Sequence, residues 1–186
     1  KPFSVGARIE HPQKLIDKAQ YGAFAGHPKL GAADYKLSCH GLHQRGAYTF
    51  CMCPGGTVVA AASEKGSVIV NGMSTLARDG ENANSALLVG IDPVDFPSEH
   101  PLAGMYYQRE IEQNAFALGG GDYRAPAQLV GDFLADLESR ALGNVQPTCP
   151  TGVTLTNLRY CLPDKVRTTM QAAITEMDKR LHGFAL

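Results

Sequence analysis

Between residues 47 and 91 the chain breaks into four short β-rich runs, Ala47–Cys53, Thr57–Ala62, Ser67–Val70 and Ser85–Ile91. Pro54-Gly55-Gly56, Glu64-Lys65-Gly66 and Asn71-Gly72 separate them, the turn chemistry that joins antiparallel strands in hairpins. This spacing demands an antiparallel sheet and reads as a meander; whether it stays open or closes into a barrel is not written in the pattern. Phe3, Val5, Ala7 and Ile9 alternate with polar or small residues and predict a further strand over 2–10. Pro12 then stands where a first helical position would be, Leu15, Ile16 and Ala19 supply an apolar face, and Gly22 can end that helix. Residues 22–34 read as a loop and Asp34–Ser38 as another short strand.

Past Pro97 the apolar period lengthens from two residues to between three and four. Met105, Ile111, Ala115 and Phe116 predict a helix that stops at Gly119-Gly120-Gly121. Leu129, Val130, Phe133, Leu134 and Leu137 predict a second over 127–137. Residues 143–153 form a connector. Pro163 opens a last helix with Val166, Met170, Ala173, Ile174, Met177 and Leu181 on one stripe. The predicted fold class is therefore α+β, a strand-rich portion over 1–97 followed by a helical portion over 98–186.

Composition narrows the partners. Seventeen Lys+Arg against eighteen Asp+Glu leave a net charge of −1, too little for a basic nucleic-acid grip or a polybasic membrane patch. No apolar run approaches the roughly 20 residues that span a bilayer. Five cysteines without framework spacing, in a chain of 186 residues able to stabilise itself by burial, point to a reducing cytoplasm. The first residue is Lys1, which suggests a processed chain or a piece of a longer one.

The chemistry-bearing candidates cluster in two places. In a regular strand Cys51 and Cys53 would share a face with Cα atoms about 6.6 Å apart, poor geometry for a disulfide, so their plainest role is as small apolar residues or as thiols facing a pocket. Pro54, Gly55 and Gly56 make a hairpin turn that could also let a ring or an anion approach the backbone. The polar segment from Met73 to Asn84 is too long for a tight turn, and its Arg78, Asp79, Asn82 and Asn84 could orient a polar substrate or simply be a solvated loop. Cys39, His40, His43, Cys51 and Cys53 lie within fifteen residues, yet C-x-C on a strand does not match the usual zinc knuckle. The dinucleotide fingerprint G-x-G-x-x-G and the phosphate loop are both missing, and Gly119-Gly120-Gly121 follows a helix, the wrong context.

The strings VGARIEHPQKLIDKAQYG (5–22), YTFCMCPGGTVVAAASEKGSVIVNGMS (48–74), RDGENANSALLV (78–89) and ALGGGDYRAPAQLVGDFL (117–134) closely resemble bacterial FAD-dependent dehydrogenases of the glutathione-reductase type. The resemblance runs nearly end to end. It implies one domain inserted into the nucleotide-binding portion of a longer flavoprotein, with the Rossmann halves on either side as its partner. FAD would then belong to the full-length protein and not be retained by this piece, which lacks the cradle for the pyrophosphate. It further implies that Cys51, Cys53, Pro54, Gly55, Gly56, Met73, Arg78, Asn82 and Asn84 face the flavin or an unknown small-molecule substrate. No catalytic residue is carried over. Two other readings follow from the residues alone: a stand-alone binding module, and a small thiol or zinc enzyme built on Cys51 and Cys53.

Overall fold

Phe3, Val5, Ala7, Ile9 and His11 alternate with Ser4, Gly6, Arg8 and Glu10. The structure, a computed structural model that describes residues 1–186 apart from the Leu42 side chain, turns this alternation into β1 (Phe3–Pro12). The odd-numbered set joins the core, because successive side chains of a strand point to opposite faces. β2 (Ser38–Leu42) and β3 (Arg45–Cys53) form a hairpin around His43 and Gln44, both with positive φ as a two-residue hairpin turn requires. This turn places β2 at Ser38–Leu42, so the expected strand over Asp34–Ser38 survives only in Ser38.

β4 (Gly56–Ala60) and β5 (Val70–Ser74) make a separate two-stranded ribbon, and β6 (Asn82–Ile91) returns to the main sheet. The main sheet runs in the order β1-β6-β3-β2, all antiparallel. The sheet is antiparallel as expected, but it is not a sequential meander, and it does not close into a barrel. β6 enters between β1 and β3 because Ala83, Leu87, Val89 and Ile91 on one face and Ala86 and Leu88 on the other suit a central strand. Asn71 and Gly72, expected to turn the chain, instead lie inside β5, while Ser67–Ile69 lie outside any strand. The turn is made earlier, at Gly66 with φ +74°, and Ala61 N–H donates to the Ile69 carbonyl beyond it at 2.9 Å.

Four α-helices follow: α1 (Gln13–Tyr21), α2 (Ala103–Leu118), a single turn α3 (Val130–Leu134) and α4 (Asp164–Asp178). α4 lies across the odd-numbered face of the sheet, where Val166, Met170, Ala173, Ile174 and Met177 meet Ile9, Leu87, Val89 and Ile91. Each such side chain, fully buried, contributes about 1.5–3 kcal/mol. The helix expected over 127–137 is reduced to α3. Ala125–Ala127 instead pair in parallel, as β7 (Ala125–Ala127), with β8 (Val153–Leu155). Gln128 completes the change: its amide donates to the Leu137 carbonyl at 2.6 Å and accepts from Leu158 N–H at 2.9 Å. Among the described residues no helix is long and apolar enough to cross a membrane.

Two ion pairs that share Asp95 clamp the sheet to α4. Arg45 of β3 and Lys165 of α4 both reach Asp95, whose side chain is only 4% exposed. The Arg45 guanidinium, above all, pulls the Asp95 carboxyl down to about 2. Because this lies below the value of an unfolded aspartate, the stabilisation is complete above about pH 4 and is lost as pH falls toward about 2. Asp95→Asn is expected to remove on the order of 2 kcal/mol at neutral pH and to flatten this acid limb, read from urea midpoints across pH.

Candidate functional site

The even-numbered face of the sheet is not sealed by α4. Register places Arg8 of β1 opposite Ala86 of β6, and Ala86 opposite Phe50 of β3, so the three form one row. One step along, Glu10, Asn84 and Cys53 form the next. Between Phe50 and Cys53 β3 spends three residues against two of β6, a β-bulge, and Cys51 takes φ +48° there. The bulge overturns the expectation that both sulfurs share a face: Cys51 is exposed and Cys53 is buried.

The bulge turns the Cys51 carbonyl toward Arg8. Arg8 Nη2 donates to that carbonyl at 2.6 Å and to Cys53 Sγ at 3.7 Å, while Nε donates to Asn84 Oδ1 at 2.7 Å. Nη1 makes no hydrogen bond among the described residues. Burial draws the Arg8 pKa down, opposed by the neighbouring thiols, and an arginine remains charged nonetheless. Burial likewise pushes the Cys53 thiol up, with Arg8 pulling the other way. Asn84 is fully buried, and since its oxygen faces Arg8, its Nδ2 carries the orphaned donor. Gly72 of β5 lies directly over this pair: a Cβ there would meet Arg8 Nη2 at 2.1 Å and Asn84 Oδ1 at 2.4 Å.

The turn after the bulge is held from behind. Gly55 N–H donates to Gln13 Oε1 at 2.7 Å, Gly80 N–H donates to the Gly55 carbonyl at 3.1 Å, and Ser74 Oγ donates to the Pro54 carbonyl at 2.8 Å. Pro54, Gly55 and Gly56 are buried against the protein's own backbone, so their amides are not open to an anion. The polar loop spans 75–81 only, since Met73 belongs to β5 and Asn82 and Asn84 to β6. Arg78 is exposed and meets the turn through its carbonyl rather than its guanidinium. Asn82 serves a separate cluster, donating to Glu10 Oε1 at 3.2 Å and to the Gln146 carbonyl at 2.9 Å. Phe50, next to Cys51 in β3, and Met73 of β5 are 60% and 61% exposed and offer apolar surface.

Of the residues expected at the site, Cys51, Cys53, Pro54, Gly55, Gly56 and Asn84 come together, with Met73 and Arg78 at the rim and Asn82 apart. Sequence reasoning missed Arg8 and Gln13. The available signal was a charged residue at the centre of an apolar alternating strand, which is costly unless it is paired. Among the described residues no three His, Cys, Asp or Glu side chains converge to hold a metal.

A cleft of about 970 Å³ opens beside this face, within the range of ligand-sized cavities. All ten residues of β1 line it, with Val68–Val70, one side of α2, and segments near 125–132 and 142–149 as the opposite wall.

A dinucleotide needs glycine-flanked amides at a helix N-terminus directly after a strand. Here the β1-to-α1 junction is His11-Pro12-Gln13, with no glycine and with a proline that has no N–H to give. These residues do not fit the pyrophosphate of FAD. Fold and site together define an α+β domain that presents a polar-inlaid sheet face and whose β1-to-α1 junction is not a dinucleotide cradle. The family model for the FAD-dependent protein, C-terminal domain-like, matches residues 2–186, and the chain belongs to that family. A protein of Clostridium beijerinckii, described as uncharacterised, is 53% identical over 186 residues, covering 100% of this chain. The chain spans 35% of that relative's length.

Proposed function

We propose that this chain is the substrate-binding and capping domain of an FAD-dependent oxidoreductase of the glutathione-reductase type, inactive without the flavin-binding portion. Family membership and the coverage of a much longer relative support a parent protein that binds FAD. The missing cradle supports a division of labour: Rossmann segments elsewhere in the parent hold the cofactor, and this domain closes over it. The flavin, once bound there, supplies the two-electron chemistry.

The observation that carries the reading is Arg8. A guanidinium fixed by Asn84 and the Cys51 carbonyl, with Nη1 left free on an unsealed sheet face, is a preorganised donor for an oxygen-bearing substrate. Phe50, in the same row as Arg8 beyond Ala86, adds exposed apolar surface on this face, and the domain's remaining task is to orient that substrate and exclude water. Five unbridged cysteines support a cytoplasmic setting.

The test uses the full-length parent carrying Cys51→Ser, Arg8→Gln or Arg78→Ala. Each variant is expected to keep its flavin spectrum. Cys51→Ser and Arg8→Gln are expected to change reoxidation of the photoreduced flavin by dioxygen at least about threefold, roughly 0.7 kcal/mol in the barrier. Unchanged reoxidation in all three would sink the reading.

A further inference from the structure

We propose that an extended segment of the parent chain, from outside residues 1–186, docks in the cleft as an added strand along the free edge of β1. The proposal rests on the reading of this chain as one domain of a longer protein.

β1 is an edge strand paired only with β6, and among the described residues no backbone group outside β6 bonds to its main chain. Every second N–H and C=O of an antiparallel edge strand points away from its partner, so a row of donors and acceptors faces outward. At ten residues β1 is about 33 Å long, well above the usual strand length. Edges are ordinarily blunted by charged side chains, an internal proline or a bulge; β1 has no lysine, bulge or proline before Pro12 at its end, and its two charges, Arg8 and Glu10, are turned to Asn84, the Cys51 carbonyl and Thr148. Its outer edge instead lies along a cleft of about 970 Å³.

Most polar side chains lining that cleft are engaged elsewhere; among the described residues Arg8 Nη1, His11 Nδ1 and the Asn144 amide are the exceptions. Thr148 Oγ1 donates to Glu10, Gln108 donates to Glu112 at 2.7 Å, Ser139 donates to Asp132 at 2.6 Å, and both ends of the Gln128 amide are bonded. The longest run of unpaired polar groups is the backbone of β1, which lies between apolar walls such as Val70, Ile111, Ala115 and Leu155. A row of main-chain groups flanked by apolar pockets is what β-augmentation recognises: the main chain supplies affinity, and alternate side chains fill the pockets. A small molecule could satisfy one or two of those groups, but not a ten-residue edge. The occupant is taken to be the same polypeptide because this chain accounts for 35% of its relative's length, leaving 100 − 35 = 65% to come from elsewhere in such a protein. A tethered segment also docks at high effective concentration.

The experiment uses the full-length parent with Leu142→p-benzoylphenylalanine, an exposed position on the cleft wall. Irradiation and mass spectrometry are expected to join residue 142 to a peptide outside 1–186 of the same chain. Residue-resolved hydrogen exchange on the unmodified parent is expected to show the outward amides of β1 protected within about tenfold of those of β6. A cross-link confined to residues 1–186, one joining two copies of the chain, or outward amides exchanging as a free edge would each overturn the proposal. A flavin-free parent whose cross-link still falls outside 1–186 removes only the flavoprotein reading. A flavin-bearing parent with an unprotected edge removes only this one.

Discussion

Gly55→Ala is expected to lower the melting temperature of the domain by about 6–24 °C, a loss of about 3–6 kcal/mol at a few degrees per kcal/mol. Three costs add at this one position. Gly55 sits at φ +49°, where a side chain costs about 1–2 kcal/mol. A Cβ would stand 2.0 Å from the Arg78 carbonyl oxygen and 2.3 Å from its carbon, and overpacking against backbone costs about 1–3 kcal/mol. The turn cannot retreat without stretching its bonds to Gln13 on one side and Gly80 on the other, about 1 kcal/mol more. Gly31→Ala is the control: nothing lies within 4 Å of its Cβ position and its φ is not positive, so its melting point should move by less than about 2 °C. A Gly55→Ala melt within that same margin would show that the loop over 75–81 is not seated on the turn.

Arg8→Met has the second largest expected effect. It deletes three charge-assisted hydrogen bonds, to Asn84 Oδ1, the Cys51 carbonyl and Cys53 Sγ, and leaves Asn84, already missing a partner at Nδ2, without one at Oδ1 as well. Stranding a buried amide in this way is expected to destabilise the domain by about 2–4 kcal/mol. The attribution is tested by the second partner. In the double variant Arg8→Met with Asn84→Leu no polar group is stranded, so it should cost at least about 1 kcal/mol less than the sum of the singles. Urea denaturation of the four proteins in the cycle measures this, and simple additivity would show that Arg8 and Asn84 are neighbours without being coupled. The same pair explains why β5 carries a glycine at residue 72, where the guanidinium and the amide already fill the space of a side chain.

Legibility along the chain followed the range of the interactions involved. The stripe from Val166 to Met177 was readable because its residues share one face of α4, and all of them are buried; Leu181, expected on the same stripe, is buried too but lies past the end of the helix. Helix α2 was readable from its apolar spacing and the glycine run that stops it at Leu118, although Met105 of that stripe is exposed. The turn at Pro54-Gly55-Gly56 announced itself through residue type. Strand order did not, because pairing β6 between β1 and β3 joins residues far apart in the chain, as in the 76-residue separation of Arg8 and Asn84. The helical stripe over 127–137 gave way to tertiary pairing of Ala125–Ala127 with Val153–Leu155, a contact no local window contains. The bulge at Cys51 was hidden because its left-handed residue is not a glycine.

The candidate site divides along the same line. Cys51 through Gly56 and Asn84 were visible as chemistry-bearing residues near glycine turns, whereas Arg8, which organises them, looked like one charge on a strand. By itself the sequence determined the α+β class, the core-facing helix stripe and the glycine turn, because each is encoded in residue type and short-range spacing; the FAD-dependent family came from resemblance to other chains. The tertiary structure alone decided the strand order, the opposite fates of the two thiols, the Arg8–Asn84 pairing and the free edge of β1. All four depend on which distant segments come to lie side by side, and no local propensity specifies that.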